Sequence, residues 1–420
     1  MSVLSNILKN FFLILIIKIC ESKKYYTVDV NGIKNKNGYY SVNIYIGTPP
    51  QKQSLIIDMG SSQISVSCST CYNCAIHDYP PFDLIKSKSG SWCNNQEFGV
   101  DFCKYTHQFG EGSIISGRYF SDVLSFNNGQ KEYKLRDRSY FKYDFIGCNE
   151  FETKHFLKQN ANGIIGIGLK KNIHGYNIVT VILESAKRIL GTTSKNMVIS
   201  LCLLVDGGTM NIGEFNEEII EGNQTRDINN ENNIYWIPLV TTSNLYNIYF
   251  EEIILHTENN DEKVYRDKIS AIIDVGSTFT YLPKKLFNLL INKFSQICNR
   301  TNNIELDVCI ILNNSFCWKN LSKIYNTLPV IKIKFRGQNQ IINWEYQSYL
   351  YSNENNLWCL GIREQNVVQM NSIIFGISFL MNKQIILDPS KRRIGFNGSF
   401  INKCNRKSYI TKREIKLQRD

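Results

Sequence analysis

Two short stretches of the sequence each present an aspartate in a glycine–serine turn after an apolar run. The first reads IIDMGSS around Asp58, and the second reads IIDVGST around Asp274. Carboxylates serve as general acids and bases, and two of them held about 3 Å apart cannot both ionise, so such a pair holds one shared proton. The repeated turn predicts a water molecule activated between two carboxylates.

The surroundings of the two turns are also repeated. GIIGIG, with Gly166, follows Asp58 at nearly the same distance as IIFGISFL, with Gly376, follows Asp274. This internal duplication is too long for a solenoid repeat. It predicts two similar lobes related by a pseudo-two-fold axis, and a chain of 420 residues is long enough for both.

Within each turn, the neighbouring residues have predicted supporting roles. Gly60 and Gly276 allow the tight turns that bring the two backbones together. Ser61 and Ser277 are expected to hydrogen-bond the carboxylate of their own loop.

Short alternating apolar runs broken by Gly, Asn and Asp dominate the chain, which predicts a mainly β protein. Helical periodicity is confined to residues 176–191 and 284–297, and the junction between lobes is placed within 203–218.

The formal net charge is +11, but the lysines are scattered. Compositional bias is favoured over a nucleic-acid footprint, so no nucleic-acid partner is expected.

The N-terminus predicts entry into the secretory pathway. Lysines flank the apolar run 11–17, which is typical of a signal peptide and too short to span a bilayer. A buried N-terminal helix is the alternative. The five Asn-x-Ser/Thr sites fit the same compartment; they begin at Asn223, Asn299, Asn313, Asn320 and Asn397.

Cysteine usage agrees with secretion. Of 13 cysteines, Cys20 lies in or beside the signal, and an even number remains. This favours disulfides. Zinc bound by the Cys68, Cys71, Cys74 cluster with His77 is the alternative, although structural zinc usually takes two separated ligand pairs. Neither a metal nor a cofactor is expected.

Along residues 39–400 the chain resembles the pepsin-like aspartic proteases. The matching pieces come in the family's order: YYSVNIYIGTPPQ, the first Asp loop, FGEGSIISG as the flap, ANGIIGIG, the second Asp loop, and IIFGISFLMNKQIILDPSKRRIGF. The resemblance implies a bilobed acid protease fold with two lobes of the six-stranded type and few short helices. It also implies that Asp58 and Asp274 are catalytic and that the flap contacts substrate through Phe109, Gly110, Gly112 and Ser113.

The cysteines resemble those of the nepenthesin and plasmepsin V branch of this family, which has a cysteine-rich insert after the first Asp loop. The resemblance implies pairs between Cys202 and Cys404 and between Cys317 and Cys359. Pairing within the insert stays open, because six cysteines allow 15 connectivities; these are Cys68, Cys71, Cys74, Cys93, Cys103 and Cys148.

Together these observations predict a domain organisation. The expected segments are a signal peptide (1–22), an N-terminal lobe (39–207) with the insert at 68–103 and the flap at about 105–118, a C-terminal lobe (208–404) and a basic tail (405–420). The expected protein is a monomer without a membrane span after signal removal. It acts on peptides or unfolded proteins in the secretory pathway.

Three residues depart from the family pattern. Met59 and Val275 stand where the family has Thr or Ser, whose hydroxyl reaches the opposite loop, and Phe109 replaces the flap tyrosine. Both aspartates survive, which favours an active aspartic endopeptidase. A catalytically weakened or inactive peptide-binding protein is the alternative, and a zinc-dependent hydrolase is a third hypothesis.

Overall fold

The structure is a computed structural model, and it describes residues 25–32, 38–94, 101–126, 140–171, 175, 177–214, 234–257, 260–304, 308–312, 314–319, 321–337, 340–365 and 371–397. The predicted signal peptide, the basic tail and Cys404 lie outside these residues. Within them no helix has the length and apolar character needed to cross a bilayer.

The first half of the chain contributes strands β1 (Tyr25–Asn31), β2 (Ser41–Ile46), β3 (Gln51–Asp58), β4 (Ile64–Ser67), β5 (Ser91–Trp92), β6 (Lys104–Gln108), β7 (Ile114–Ser125), β8 (Phe141–Glu152), β9 (Gly163–Gly166), β10 (Met197–Leu204) and β11 (Gly207–Glu214). The second half contributes β12 (Ile234–Pro238), β13 (Asn247–Thr257), β14 (Asn260–Ile273), β15 (Thr280–Leu282), β16 (Cys309–Leu312), β17 (Ser315–Trp318), β18 (Val330–Phe335), β19 (Ile341–Trp344), β20 (Leu350–Ser352), β21 (Trp358–Leu360), β22 (Ile362–Glu364), β23 (Ser372–Phe375), β24 (Lys383–Asp388) and β25 (Arg393–Asn397). The predicted mainly β class is confirmed.

The described helices are few, as predicted. They are α1 (Ile178–Leu190), α2 (Lys284–Ile304), α3 (Leu321–Ile324), α4 (Tyr346–Tyr349) and α5 (Ile377–Leu380), with 3₁₀ turns at Leu84–Lys86, Asp101–Cys103 and Tyr325–Thr327. Helix α1 begins where the Asn177 side chain accepts a hydrogen bond from Thr180 N–H, and it ends at Gly191 in the left-handed conformation. Helix α2 extends beyond its predicted end at 297.

The strands form three sheets. The largest has 14 strands in the order β12-β25-β24-β10-β11-β1-β2-β3-β9-β4-β8-β7-β5, with β6 paired to β7. A seven-stranded sheet runs β19-β18-β13-β14-β23-β15-β22, and a four-stranded sheet runs β16-β17-β21-β20. Because β24 pairs with β10, strands from both halves of the chain share the largest sheet.

The internal duplication is visible in the pairing around each aspartate. Strand β3 lies parallel to β9, with Asp58 opposite Gly166. Strand β14 lies parallel to β23, with Ile273 opposite Phe375. Each apolar run is buried on both faces, as expected of strands in parallel pairs. Each run therefore carries its aspartate to the end of a buried strand.

Disulfides close the insert. Cys68 is bonded to Cys148, Cys71 to Cys74 and Cys93 to Cys103. Since all three cysteines of the proposed zinc cluster are oxidised, they offer no thiolate to a metal.

In the second half of the chain, Cys317 is bonded to Cys359, the pairing that the family resemblance implied, and Cys298 is bonded to Cys309. Cys202 is disulfide-bonded too. Its predicted partner, Cys404, lies outside the described residues.

Two disulfides of the insert should differ in their effect on stability. Cys68 and Cys148 are 80 positions apart, whereas Cys71 and Cys74 are three apart. Since a longer closed loop restricts the unfolded chain more, we expect Cys68→Ala/Cys148→Ala to lower the free energy of unfolding by about 4 kcal/mol and Cys71→Ala/Cys74→Ala by about 2 kcal/mol. Urea denaturation of both double variants measures this difference. Equal losses would contradict the loop-closure argument.

Candidate active site

The two predicted catalytic loops occupy equivalent places in the duplicated fold. Asp58 is the last residue of β3, and Asp274 directly follows β14. The neighbouring strand segment holds each loop through the backbone. Ile167 N–H donates to the Asp58 carbonyl at 2.7 Å, and Asp274 N–H donates to the Phe375 carbonyl at 3.0 Å.

These loops bring the two carboxyl groups face to face. A Cβ atom placed on Gly276 would lie 2.3 Å from Asp58 Oδ1 and 3.1 Å from Asp274 Oδ1. A Cβ atom on Gly60 would lie 3.3 Å from Asp58 Oδ1 and 3.4 Å from Asp274 Oδ2. Both glycines therefore border both carboxyls, and a side chain at position 276 would displace the Asp58 carboxyl.

Hydrogen bonding distinguishes the two acids. Asp274 Oδ1 accepts from Gly276 N–H at 2.9 Å and from Met59 N–H at 3.3 Å, and its Oδ2 accepts from Ser277 Oγ at 2.7 Å. The Asp58 carboxyl accepts from Gly60 N–H at 2.8 Å. More hydrogen-bond donors therefore meet the Asp274 carboxyl than meet the Asp58 carboxyl.

The two serines do not behave alike. Ser277 bonds its own aspartate as expected. Ser61 Oγ is buried and finds no hydrogen-bond partner by geometry within the described residues, although the nearby hydroxyl lowers the pKa of Asp58. The hydrogen bond predicted from each serine to the aspartate of its own loop is therefore formed in the Asp274 loop but not, by geometry, in the Asp58 loop.

Burial raises the pKa of Asp58 and outweighs the hydrogen bonds that lower it. Its side chain is 6 % exposed, whereas Asp274 is partly exposed. Burial, together with the charge of Asp274, raises the pKa of Asp58 from 3.8 to about 7. Asp58 thus holds a proton under conditions in which an ordinary aspartate has lost it.

The two departures inside the loops are accommodated as core residues. Met59 and Val275 are fully buried and belong to the main apolar cluster. Neither side chain supplies the hydroxyl that the family pattern has there. One bond across the loops nevertheless exists at these positions, because the backbone N–H of Met59 donates to Asp274.

The predicted flap is a hairpin of β6 and β7. Phe109 N–H donates to the Ser113 carbonyl at 2.9 Å, and Gly112, at φ +87°, donates its N–H to the Phe109 carbonyl at 2.9 Å. The Phe109 ring packs 5.0 Å from that of Phe156 and against a small cluster that includes Ile56. Among the described residues, no atom lies within 4 Å of a Cβ placed on Gly110, so the tip is open there.

Tyr105 does not replace the missing flap hydroxyl. It is buried, and its hydroxyl donates to Asn149 Oδ1 at 2.6 Å, within the base of the insert. His77 lies in the same polar network, with Nε2 3.1 Å from Glu152 and Nδ1 3.2 Å from the Gln159 carbonyl. The polar atoms of both side chains are therefore engaged within this network.

A further link between the halves was not anticipated from the sequence. Thr278 Oγ1, directly after Ser277, donates to the Gly38 carbonyl at 2.7 Å. Gly38 precedes β2 and has φ +67°, so this contact joins the second Asp loop to the first half of the chain. The signal in the sequence is the hydroxyl residue that ends IIDVGST.

Fold and site together define a pepsin-like aspartic protease. The model of the eukaryotic aspartyl protease family matches residues 39–398, and the chain belongs to that family. The predicted bilobed acid protease fold and the aspartic endopeptidase class are confirmed by this membership.

Individual relatives agree with the predicted branch. The chain is 27% identical to plasmepsin V of Plasmodium falciparum over 89% of this chain and 73% of that protein. It is 26% identical to aspartic protease 5 of Toxoplasma gondii, over 89% of this chain and 37% of the relative. It is 24% identical to nepenthesin-2 of Nepenthes gracilis, over 86% and 77%.

Proposed function

We propose that the chain hydrolyses peptide bonds with a water activated between Asp58 and Asp274. The observation that carries this proposal is the unequal environment of two facing carboxyls. Three hydrogen-bond donors surround Asp274, while burial keeps a proton on Asp58. Such division of one proton between two carboxyls is the known behaviour of aspartic protease dyads.

The asymmetry gives each acid a role in the resting enzyme. The pair shares one proton, which Asp58 holds, so Asp274 takes a proton from the bridging water, whose oxygen then attacks the peptide carbonyl carbon. Protonated Asp58 donates to the oxygen of that carbonyl as negative charge develops on it. A proton must afterwards reach the leaving amine before the C–N bond breaks, and the dyad carries it. The pair titrates as a unit, so the pH profile reports both acids together.

Substrate and setting follow from the site and the cysteines. The substrate is a peptide or an unfolded protein segment, as membership of the aspartyl protease family implies. The flap residues Phe109, Gly110, Gly112 and Ser113 would cover it. Disulfides in both halves of the chain support folding in an oxidising compartment. We place the protein, as a monomer, in the secretory pathway.

The test is hydrolysis of an unfolded protein by the purified chain from about pH 4 to about pH 8. We expect cleavage that a pepstatin-like inhibitor blocks, that a chelator leaves unchanged, and that declines as pH rises through about 7, where the pair loses its shared proton. Asp274→Asn should abolish cleavage without changing the circular dichroism spectrum. Substrate binding without cleavage in the native chain would instead support the peptide-binding alternative.

A further inference from the structure

The absence of loop hydroxyls at positions 59 and 275 raises the question of what holds the two aspartates in register. A path of hydrogen bonds runs between them through one side chain. Ile273, the residue before Asp274, donates its N–H to the Tyr246 carbonyl at 3.0 Å. The Tyr246 hydroxyl donates to the Ile167 carbonyl at 2.9 Å, and Ile167 N–H donates to the Asp58 carbonyl at 2.7 Å.

Tyr246 is suited to transmit position. Its side chain is fully buried in the main apolar cluster, so packing fixes the ring. Burial also raises the pKa of its phenol, so the hydroxyl stays protonated and able to donate at neutral pH. The acceptor is a backbone carbonyl of the segment behind Asp58, which cannot rotate away as a side chain can.

From this path we infer that Tyr246 is a positioning residue that couples the two catalytic loops in place of the missing hydroxyls. The inference rests on the proposed function. Tyr246 is fully buried, so it acts by setting the separation of Asp58 and Asp274. If that separation varies, the water is no longer aligned with the peptide carbonyl. The repulsion between two negative carboxylates, which favours a protonated Asp58, is then weaker.

The duplication supplies a matched control in Tyr40. Ile57, the residue before Asp58, donates its N–H to the Tyr40 carbonyl at 2.9 Å, so Tyr40 is the counterpart of Tyr246. It is equally buried. Its hydroxyl, however, donates to the Leu204 carbonyl at 3.0 Å, at the end of β10 and outside both Asp loops. Removing either hydroxyl deletes one buried hydrogen bond to a backbone carbonyl, but of the two hydroxyls that of Tyr246 lies on the path between the aspartates.

The experiment compares Tyr246→Phe with Tyr40→Phe in the full chain. We expect similar decreases in melting temperature, because each variant loses one buried hydrogen bond. Tyr246→Phe should lower kcat about 10- to 100-fold with KM changed less than about 2-fold. It should also move the alkaline limb of the pH profile to lower pH. Tyr40→Phe should leave kcat and the pH profile as in the native chain.

Equal kcat and pH profiles in the two variants would overturn the inference. If the native chain cleaves nothing, the proposed function fails, and the inference is decided by hydrogen exchange instead. Tyr246→Phe should then speed exchange of the Gly60 amide, which bonds Asp58, by at least about 10-fold relative to Tyr40→Phe. Equal exchange of that amide in both variants would refute the coupling.

Discussion

Asp58→Asn should abolish peptide hydrolysis while making the protein more stable at neutral pH. The amide has nearly the shape of the acid and can accept the Gly60 N–H bond. It cannot release a proton to the developing oxyanion. Since general acid–base catalysis contributes up to about 10⁴-fold, we expect kcat to fall by about that factor. Single-turnover hydrolysis of an unfolded protein measures the loss.

The gain in stability depends on pH in a defined direction. With a pKa of about 7 in place of 3.8, folded Asp58 keeps a proton that the unfolded chain has already released between those two pH values. The free energy of unfolding therefore falls as pH rises through this window. Asn carries no charge at any pH, so Asp58→Asn removes this fall. The stability difference between variant and native chain should grow with pH by up to about 1.4 kcal/mol per pH unit.

Urea denaturation at a series of pH values tests this dependence. Asp144→Asn is the control, because that carboxylate is exposed and pairs with Lys142 at the surface. We expect its effect to stay nearly constant across the series. A constant difference for Asp58→Asn as well would show that the buried acid is not protonated in the folded protein. Retained hydrolysis would remove Asp58 from the mechanism.

Much of the site could be predicted because its determinants are local in sequence. Each aspartate ends an apolar run that is buried on both sides, and such runs in a sequence predict strands. The Gly that follows each aspartate and the echo at Gly166 and Gly376 specify the same local geometry twice. The family resemblance added the flap and the pairing of Cys317 with Cys359, which the structure contains.

What could not be predicted depends on contacts between distant residues. The Met59 N–H bond to Asp274 comes from the backbone, which every residue type shares. Ser61 and Ser277 are equivalent in sequence, yet Ser277 alone meets hydrogen-bond geometry with its aspartate. Connectivity in the insert was open because Cys68 bonds a cysteine beyond the flap, whereas its near neighbours Cys71 and Cys74 bond each other. Spacing contains no information on that choice.

Gly376→Ala should displace the second Asp loop, because Gly376 packs against the backbone of that loop. Gly376 has φ −91° and ψ −165°, an extended conformation open to any residue, so its requirement is for space. An added Cβ would lie 2.1 Å from the Phe279 carbonyl oxygen and 2.4 Å from that of Ser277. Both atoms are backbone, and Ser277 O also accepts the Ile377 N–H bond at 2.8 Å. The loop that carries Asp274 must therefore shift.

We expect this shift to lower the free energy of unfolding by about 3 kcal/mol, the upper end for overpacking a core, and to lower kcat/KM about 100-fold. Denaturation and peptide hydrolysis measure the two effects. Gly110→Ala is the stability control, because its Cβ would meet no atom of the described part of the chain within 4 Å. If Gly376→Ala were as stable as Gly110→Ala, the loop would have room to move without strain. The position of Asp274 would then not depend on the backbone packed against Gly376.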